Sequence, residues 1–452
     1  MDNRAATLEL GTKPVGKLLM QYALPAIVAM TASSLYNMID SIFIGQIEGA
    51  LAISGLAVTF PFMNLSGAFG AAVGVGSATM ISVRLGQKDY TTANNIFGNC
   101  VMLNVIIGVV FAAVTLYFLD PILIFFGASS KTLPYARDYM QIILLGNVVT
   151  HMYLGMNAVL RSASKPRQAM YATIFTVLFN TCLDPLFIYT LGMGIRGAAI
   201  ATILAQLVAL CWQCRLFSNR DAVIHFEHGI YRLKTTIVKN IASIGMSPFL
   251  MNATTCLIVI VFNKSLYTYG GDLAVGAYGI VNRISFLFFM VIFGLNQGMQ
   301  PIAGYNYGAM HYDRMMQVLR YAIISATLVS LLGFIVSEFL PYYCARVFTD
   351  DSTLISISEH GLRIANVTLP IVGYQIVVTN FFQSIGKAKI SIFLSLSRQL
   401  IFLLPVLLLL PLAFGLDGVW YSFPISDSLA AVVAFLIMRK YLRHFTIKQT
   451  EN

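Results

Sequence analysis

Twelve apolar stretches, each longer than twenty residues, follow one another along this chain and decide what it can fold into. They lie near 18–44, 52–83, 93–118, 133–160, 167–190 and 196–216, then near 240–267, 273–304, 316–341, 354–383, 389–412 and 417–439. A membrane span needs roughly 20 apolar residues, and no water inside a bilayer pairs an exposed backbone group, so runs of this kind must close their own hydrogen bonds as helices. The charge content agrees. Of 452 residues, 58% are hydrophobic and 11% charged, against roughly 25% charged in soluble domains. A soluble multidomain protein, a disordered chain and a secreted disulfide scaffold are excluded; the six cysteines fall mostly in apolar runs and imply no oxidised framework. The first run follows a polar opening and is too long for the apolar region of a cleavable signal, so the first span is expected to stay as an anchor.

The net charge of +10 is explained by where the charges sit. Lys and Arg collect in alternate connections: Lys13 and Lys17, Arg84 and Lys88, Arg161 with Lys165 and Arg167, Arg215 through Lys239, Arg314 and Arg320, Lys387 and Lys389, and Arg439 onward. The opposite connections hold only Lys131, Arg137, Arg196 and Arg346. Basic loops stay in the cytoplasm, which predicts both termini inside and needs no nucleic-acid partner. The longest polar stretch, 221–239, is read as a cytoplasmic linker between a lobe at 1–220 and a lobe at 240–452. Those halves repeat: Gly86 pairs with Gly308, Gly76 with Gly298, Pro25 with Ser247-Pro248, and Gly194-Ile195-Arg196-Gly197 with Gly415-Leu416-Asp417-Gly418. With six spans each, the lobes are related by a pseudo-twofold axis along the membrane normal, an architecture of secondary transporters. The fold class expected is an all-α membrane protein of twelve transmembrane helices in two six-helix lobes.

Polar residues deep in such helices are costly, roughly 2.5 to 3.5 kcal/mol for an Asp at the centre, and usually face a cavity or a partner. Asp40, Asp184 and Asp427 are the acids placed this way. Asn180 precedes Asp184 by one helical turn, and Asn37 stands three residues before Asp40, so each carboxylate gains an amide oxygen on its own face. Carboxylate and amide oxygens gathered away from water hold a hard cation or share a proton; the alternative is that each merely ties helices together. Where the first half has Asp40 the second has Phe262 and Asn263, so ion coupling is expected in the first lobe. Asp427, near Pro424, is equally readable as structural or as a functional residue lining a substrate cleft. Pro25 removes a backbone bond from the first span, as a hinge for the helix carrying Asp40 or as a static bend. Arg283, Gln297, Gln300 and Arg398 are further polar residues in apolar company, expected to line a substrate cleft or to meet backbone carbonyls. Cys211 and Cys214 form a CxxC without a second pair or a redox context, Gly70, Gly74 and Gly76 spell no phosphate loop, and His151 reads as a core group. No nucleophile with a base and no metal-ligand cluster is apparent, which argues against an enzyme and predicts no cofactor.

Taken together, LPAIVAMTASSLYNMIDSIFIGQ, RLGQKDYTTAN, FNTCLDPLFIYTLGMGIRGAAIAT, AYGIVNR and GMQPIAGYNYGA resemble the multidrug and toxic compound extrusion (MATE) family over essentially the whole chain, closest to its prokaryotic DinF/MepA-like branches. The resemblance implies two six-helix lobes that open alternately to each side, a monomer in the cytoplasmic (inner) membrane, and export of small-molecule drugs or organic cations in exchange for H⁺ or Na⁺. It implies that the family's first-lobe cation site falls on Asp40, Asn180 and Asp184, with Tyr139 and Thr202 in support; Na⁺ there is the one metal it suggests. Some branches carry an acid in the seventh span where this chain has Asn252, which weighs against a second-lobe cation site. The alternative from the same superfamily is a flippase for a lipid-linked precursor, which would need a large cationic cleft.

Overall fold

The computed structural model describes the backbone of residues 3–48 and 50–450; the side chains of 1–6, 35–54, 57 and 443–452 lie outside the described residues. Every regular element among them is helical. Eight helical runs are long and apolar enough to cross a membrane, and two bent pairs, Leu133–Leu145 with Asn147–Ser162 and Ser352–Asn366 with Leu369–Ser384, each make one further span broken by 57° and 51°. Two of the eight runs exceed any single crossing: Thr235–Gly308 has 74 residues and Ala388–Leu442 has 55. At the rise of an α-helix these would reach about 110 and 80 Å, against a hydrocarbon core of about 30 Å. Each folds back at a glycine, Gly271 with φ 67° and Gly415 with φ 57°, a backbone state that side chains with a Cβ resist. Taking each folded run as two crossings gives the twelve spans, six per half, that the apolar pattern predicts.

The chain packs as two compact units. The first comprises residues 1–13 and 24–249, the second residues 14–23 and 250–452. Phe62, Leu123, Tyr139, Ile188, Ile195 and Ala198 pack in the core of the first, and Phe262, Leu266, Ile284, Leu362, Leu407 and Trp420 in that of the second. Large apolar side chains along the spans, such as Val110, Leu332 and Leu409, remain exposed, as expected of faces turned to lipid rather than water. The repeat extends to backbone detail. Lys88 and Met310, each two residues past its matched glycine, have φ of 61° and 59°, and Ser164 and Gly386 close the fourth and tenth spans at 63° and 74°.

Two helices contain a wide π turn, and each has a proline beside it. Pro185 precedes the turn at Leu186–Thr190, where the Leu191 N–H reaches the Leu186 carbonyl. Pro405 follows the turn at Ser397–Leu403, where the Leu404 N–H reaches the Gln399 carbonyl. A proline lacks an N–H and crowds the carbonyl four residues back; for Pro405 that is the Ile401 carbonyl inside the turn, where a five-residue spacing relieves the conflict.

The polar stretch after the sixth span is folded onto the start of the third. The Asn99 amide donates to the carbonyls of Ile230 and Arg232 at 3.4 and 3.1 Å, and its oxygen accepts from the Lys234 N–H at 2.9 Å. The Asn94 oxygen accepts from the His225 N–H at 3.1 Å. Phe97 packs on Phe217 and Phe226 with ring centroids 4.5 and 5.1 Å apart. Between the two asparagines, a Cβ at Gly98 would lie 2.2 Å from the Ile230 carbonyl oxygen, so only glycine permits this approach.

Candidate functional site

In the first unit the Pro166–Pro185 helix carries Asn180 and Asp184, which are 1% and 0% exposed. One helical turn separates them, and the Asn180 Nδ2 donates to the Asp184 Oδ2 at 2.8 Å. The Asn180 Oδ1 is buried and has no hydrogen-bond partner among the described residues. The amide therefore spends its donor on the carboxylate and keeps its acceptor available, the polarity that suits a cation. The pair sits at the last α-helical turn before the π segment.

The helix Gly194–Phe217 lies against that segment: a Cβ at Gly197 would meet the Phe187 carbonyl at 2.8 Å. It presents a face of small buried residues, Ala198, Ala201 and Ala205, with Thr202, whose hydroxyl donates to the Ala198 carbonyl at 3.0 Å. Tyr139, buried on the Leu133–Leu145 helix, packs in one cluster with Ala198 and Ala199. The structure thus joins Asn180 and Asp184 directly and buries Tyr139 and Thr202 on neighbouring elements. Pro25 is buried within the Val15–Glu48 helix. That helix also spans positions 37 and 40, but the side chains of Asn37 and Asp40 lie outside the described residues.

In the second unit Asp427 is 6% exposed, and Arg398 donates through Nε to its Oδ1 at 2.8 Å. The Thr368 hydroxyl lies 3.5 Å from the other oxygen. Arg398 also lies over the Phe289 ring, 5.9 Å from its centroid, and Gln399 donates to the Thr255 hydroxyl at 2.8 Å. This ion pair escaped the sequence reading, which placed both residues along a cleft and gave Arg398 backbone carbonyls as its other option. The partners are 29 residues apart on different helices, and no local signal links them. Arg283 is exposed, Gln297 half-buried and Gln300 buried. Asn296, also buried, has neither amide atom paired among the described residues.

His151 is fully buried and its Nε2 contacts the Ser66 carbonyl at 2.9 Å, which assigns the proton to Nε2; Ser66 donates to Asn147, and Asn147 to the Gly108 carbonyl. Cys211 and Cys214 are both free. No group of three or more His, Cys, Asp or Glu that could hold a metal ion occurs among the described residues.

Two repeated six-span units, each with an acid buried in the apolar part of a helix, define a multi-pass membrane protein of the internally duplicated kind used for solute transport. The chain belongs to the MatE family, whose profile matches residues 25–186 and again 248–409. Multidrug export protein MepA of Staphylococcus haemolyticus is 26% identical over 431 residues, 95% of each chain. Among solved structures, the outward-facing conformation of a multidrug resistance MATE family transporter of the MOP superfamily aligns with a TM-score of 0.91 at 26% identity, covering 97% of this chain and 98% of that one. The same values hold for a MOP superfamily transporter from Pyrococcus furiosus in which the reverse polarity of the binding pocket suggests a different function.

Proposed function

We propose that this protein is a secondary active multidrug efflux antiporter, exporting amphipathic and often cationic compounds in exchange for H⁺ or Na⁺ by alternating access. The observation that carries the reading is the buried Asn180–Asp184 pair, a carboxylate and a free amide acceptor held together inside a span. Asp40 on the first span completes the ion site, and Tyr139 and Thr202 support it. An ion arriving from outside neutralises these carboxylates; the first span responds near Pro25 and substrate affinity falls. The gradient drives export only through the difference in ion affinity between the two access states. The protein works as a monomer in the inner membrane with both termini and the 221–239 linker in the cytoplasm, in line with its basic loops. The relatives described as multidrug exporters support the substrate class.

Lipid-linked precursor flipping is the weaker reading, because pyrophosphate needs a concentrated cationic surface and Arg398 is already engaged with Asp427. Efflux of a fluorescent organic cation from proteoliposomes, under separately imposed pH and Na⁺ gradients, tests the proposal. Asp184→Asn and Asp40→Asn should each depress gradient-driven export by about tenfold or more, within the range typical of coupling free energies. Export at wild-type rates in both variants would remove the assignment.

A further inference from the structure

The second unit holds a buried carboxylate with its cation already in place. Asp427 sits within a membrane span, where an isolated charge is costly, and it is satisfied by the Arg398 guanidinium at 2.8 Å and approached by the Thr368 hydroxyl at 3.5 Å. Thr368 stands at the break between Ser352–Asn366 and Leu369–Ser384, bent by 51°, so its hydroxyl is presented where helical geometry lapses. Arg398 is held from several sides: the π turn at Ser397–Leu403 sets its direction, the Phe289 ring lies under its guanidinium, and the bond from Gln399 to Thr255 fixes the next residue. A tether this short keeps the effective concentration of the guanidinium at the carboxylate far above that of a free ion.

The first unit shows what the same place looks like without charge. The offset that superposes Gly194-Ile195-Arg196-Gly197 on Gly415-Leu416-Asp417-Gly418 puts Asp427 opposite Gln206. The Gln206 oxygen accepts from the Thr150 hydroxyl at 2.5 Å, and the same offset puts Val177 opposite Arg398, so the first unit has neither charge at this place. The second unit has substituted a carboxylate and supplied its counter-charge from within the chain.

We propose that Arg398 is a tethered counter-cation that permanently occupies the Asp427 carboxylate, closing to H⁺ and Na⁺ what would otherwise be a cation site in the second unit. The proposal rests on the reading of the first unit as the ion-coupling one, and it adds that the second is excluded by occupation rather than by lack of an acid. Of the other titratable groups on elements packed against the helix carrying Asp427, His360 is bonded to Asp417 at 2.8 Å, Tyr278 stacks on Phe423, and Glu359, Arg363, Tyr374 and Lys389 form no ion pair with Asp427 among the described residues. Removing the guanidinium leaves a buried carboxylate whose cheapest remedy is to bind a proton.

The test is difference infrared spectroscopy of the purified protein titrated over roughly pH 5 to 8, following the C=O stretch of protonated carboxylic acids. Arg398→Gln should gain a titrating band absent from the wild type, the double variant Arg398→Gln with Asp427→Asn should lose it, and Arg398→Lys should keep the wild-type spectrum. An Arg398→Gln spectrum identical to wild type, or a band that survives in the double variant, overturns the proposal. If Arg398→Gln does not fold, wild type against Asp427→Asn decides alone: identical titrations support the occupied site, and a band present in wild type but missing from Asp427→Asn refutes it. None of these readouts measures transport, so the outcome is independent of whether Asp184→Asn uncouples export.

Discussion

Adding a single methyl group at Gly98 should detach the linker after the sixth span from the third. The Cβ of Gly98→Ala would lie 2.2 Å from the Ile230 carbonyl oxygen and 2.5 Å from its carbon. These are backbone atoms and no side chain can swing aside, so the linker must retreat by about an ångström to reach ordinary contact. The Asn99 bonds to Ile230 and Arg232 are already at 3.4 and 3.1 Å, and that retreat breaks both. At about 1 kcal/mol each, with part of the buried Ile230 side chain exposed in addition, the local cost is roughly 2–3 kcal/mol. That raises the open population of the linker roughly 30- to 150-fold. The exposed Arg220, Arg232 and Lys234 make this readable by limited trypsin digestion, because cleavage follows the open population when closing is fast. Gly279→Ala, whose Cβ meets nothing within 4 Å, serves as the control and should leave cleavage unchanged. Digestion of Gly98→Ala at the wild-type rate would refute the reasoning, since the linker would then not be held by this contact.

Other outcomes follow from the same geometry. Asp89 caps the helix Tyr90–Tyr117 by accepting from the Thr92 N–H at 3.0 Å, and the Thr92 side chain, helped by that backbone bond and the nearby Arg84 charge, holds its carboxyl below the usual range. Asp89→Ala should cost about 1 kcal/mol in thermal stability; because the folded pKa is depressed, the difference is present at neutral pH and fades as pH falls through that lowered value. Gly245→Val should prevent recovery of folded protein in detergent, because a Cβ there meets the Ala72 carbonyl at 2.3 Å while Gly76 makes the reciprocal approach to the Ile241 carbonyl. Asn180→Ala should keep the fold but weaken the dependence of export on the driving ion, seen as a shift of half-maximal ion concentration in proteoliposomes; an unshifted midpoint would show that the free amide acceptor is not used.

The spans, their number and the duplication are legible in the sequence because they rest on quantities that add along the chain: apolar length, the sign of loop charges and matched glycines. Asn180 with Asp184 is legible for a similar reason, one helical turn being a local distance. The link between Arg398 and Asp427 is not, since their meeting depends on how two helices are rotated against one another. Nor is the π turn that aims Arg398, because an apolar run reads the same at either helical spacing. The short helices Leu119–Phe125 and Pro341–Arg346 also go unseen, being too brief to show a period. The linker escapes because its polar composition suggests a free loop, whereas the asparagines that fasten it lie more than a hundred residues earlier.

A π turn stores one residue more than the α-helix around it, and each residue in an α-helix turns the chain by about 100°. The stretches on either side of Leu186–Thr190, and likewise of Ser397–Leu403, are therefore out of phase by roughly a quarter turn. Excising one residue from either place would leave an unbroken helix whose far end points a different row of side chains at its neighbours. Small insertions and deletions at these two places thus act as rotations, trading one helix face for another.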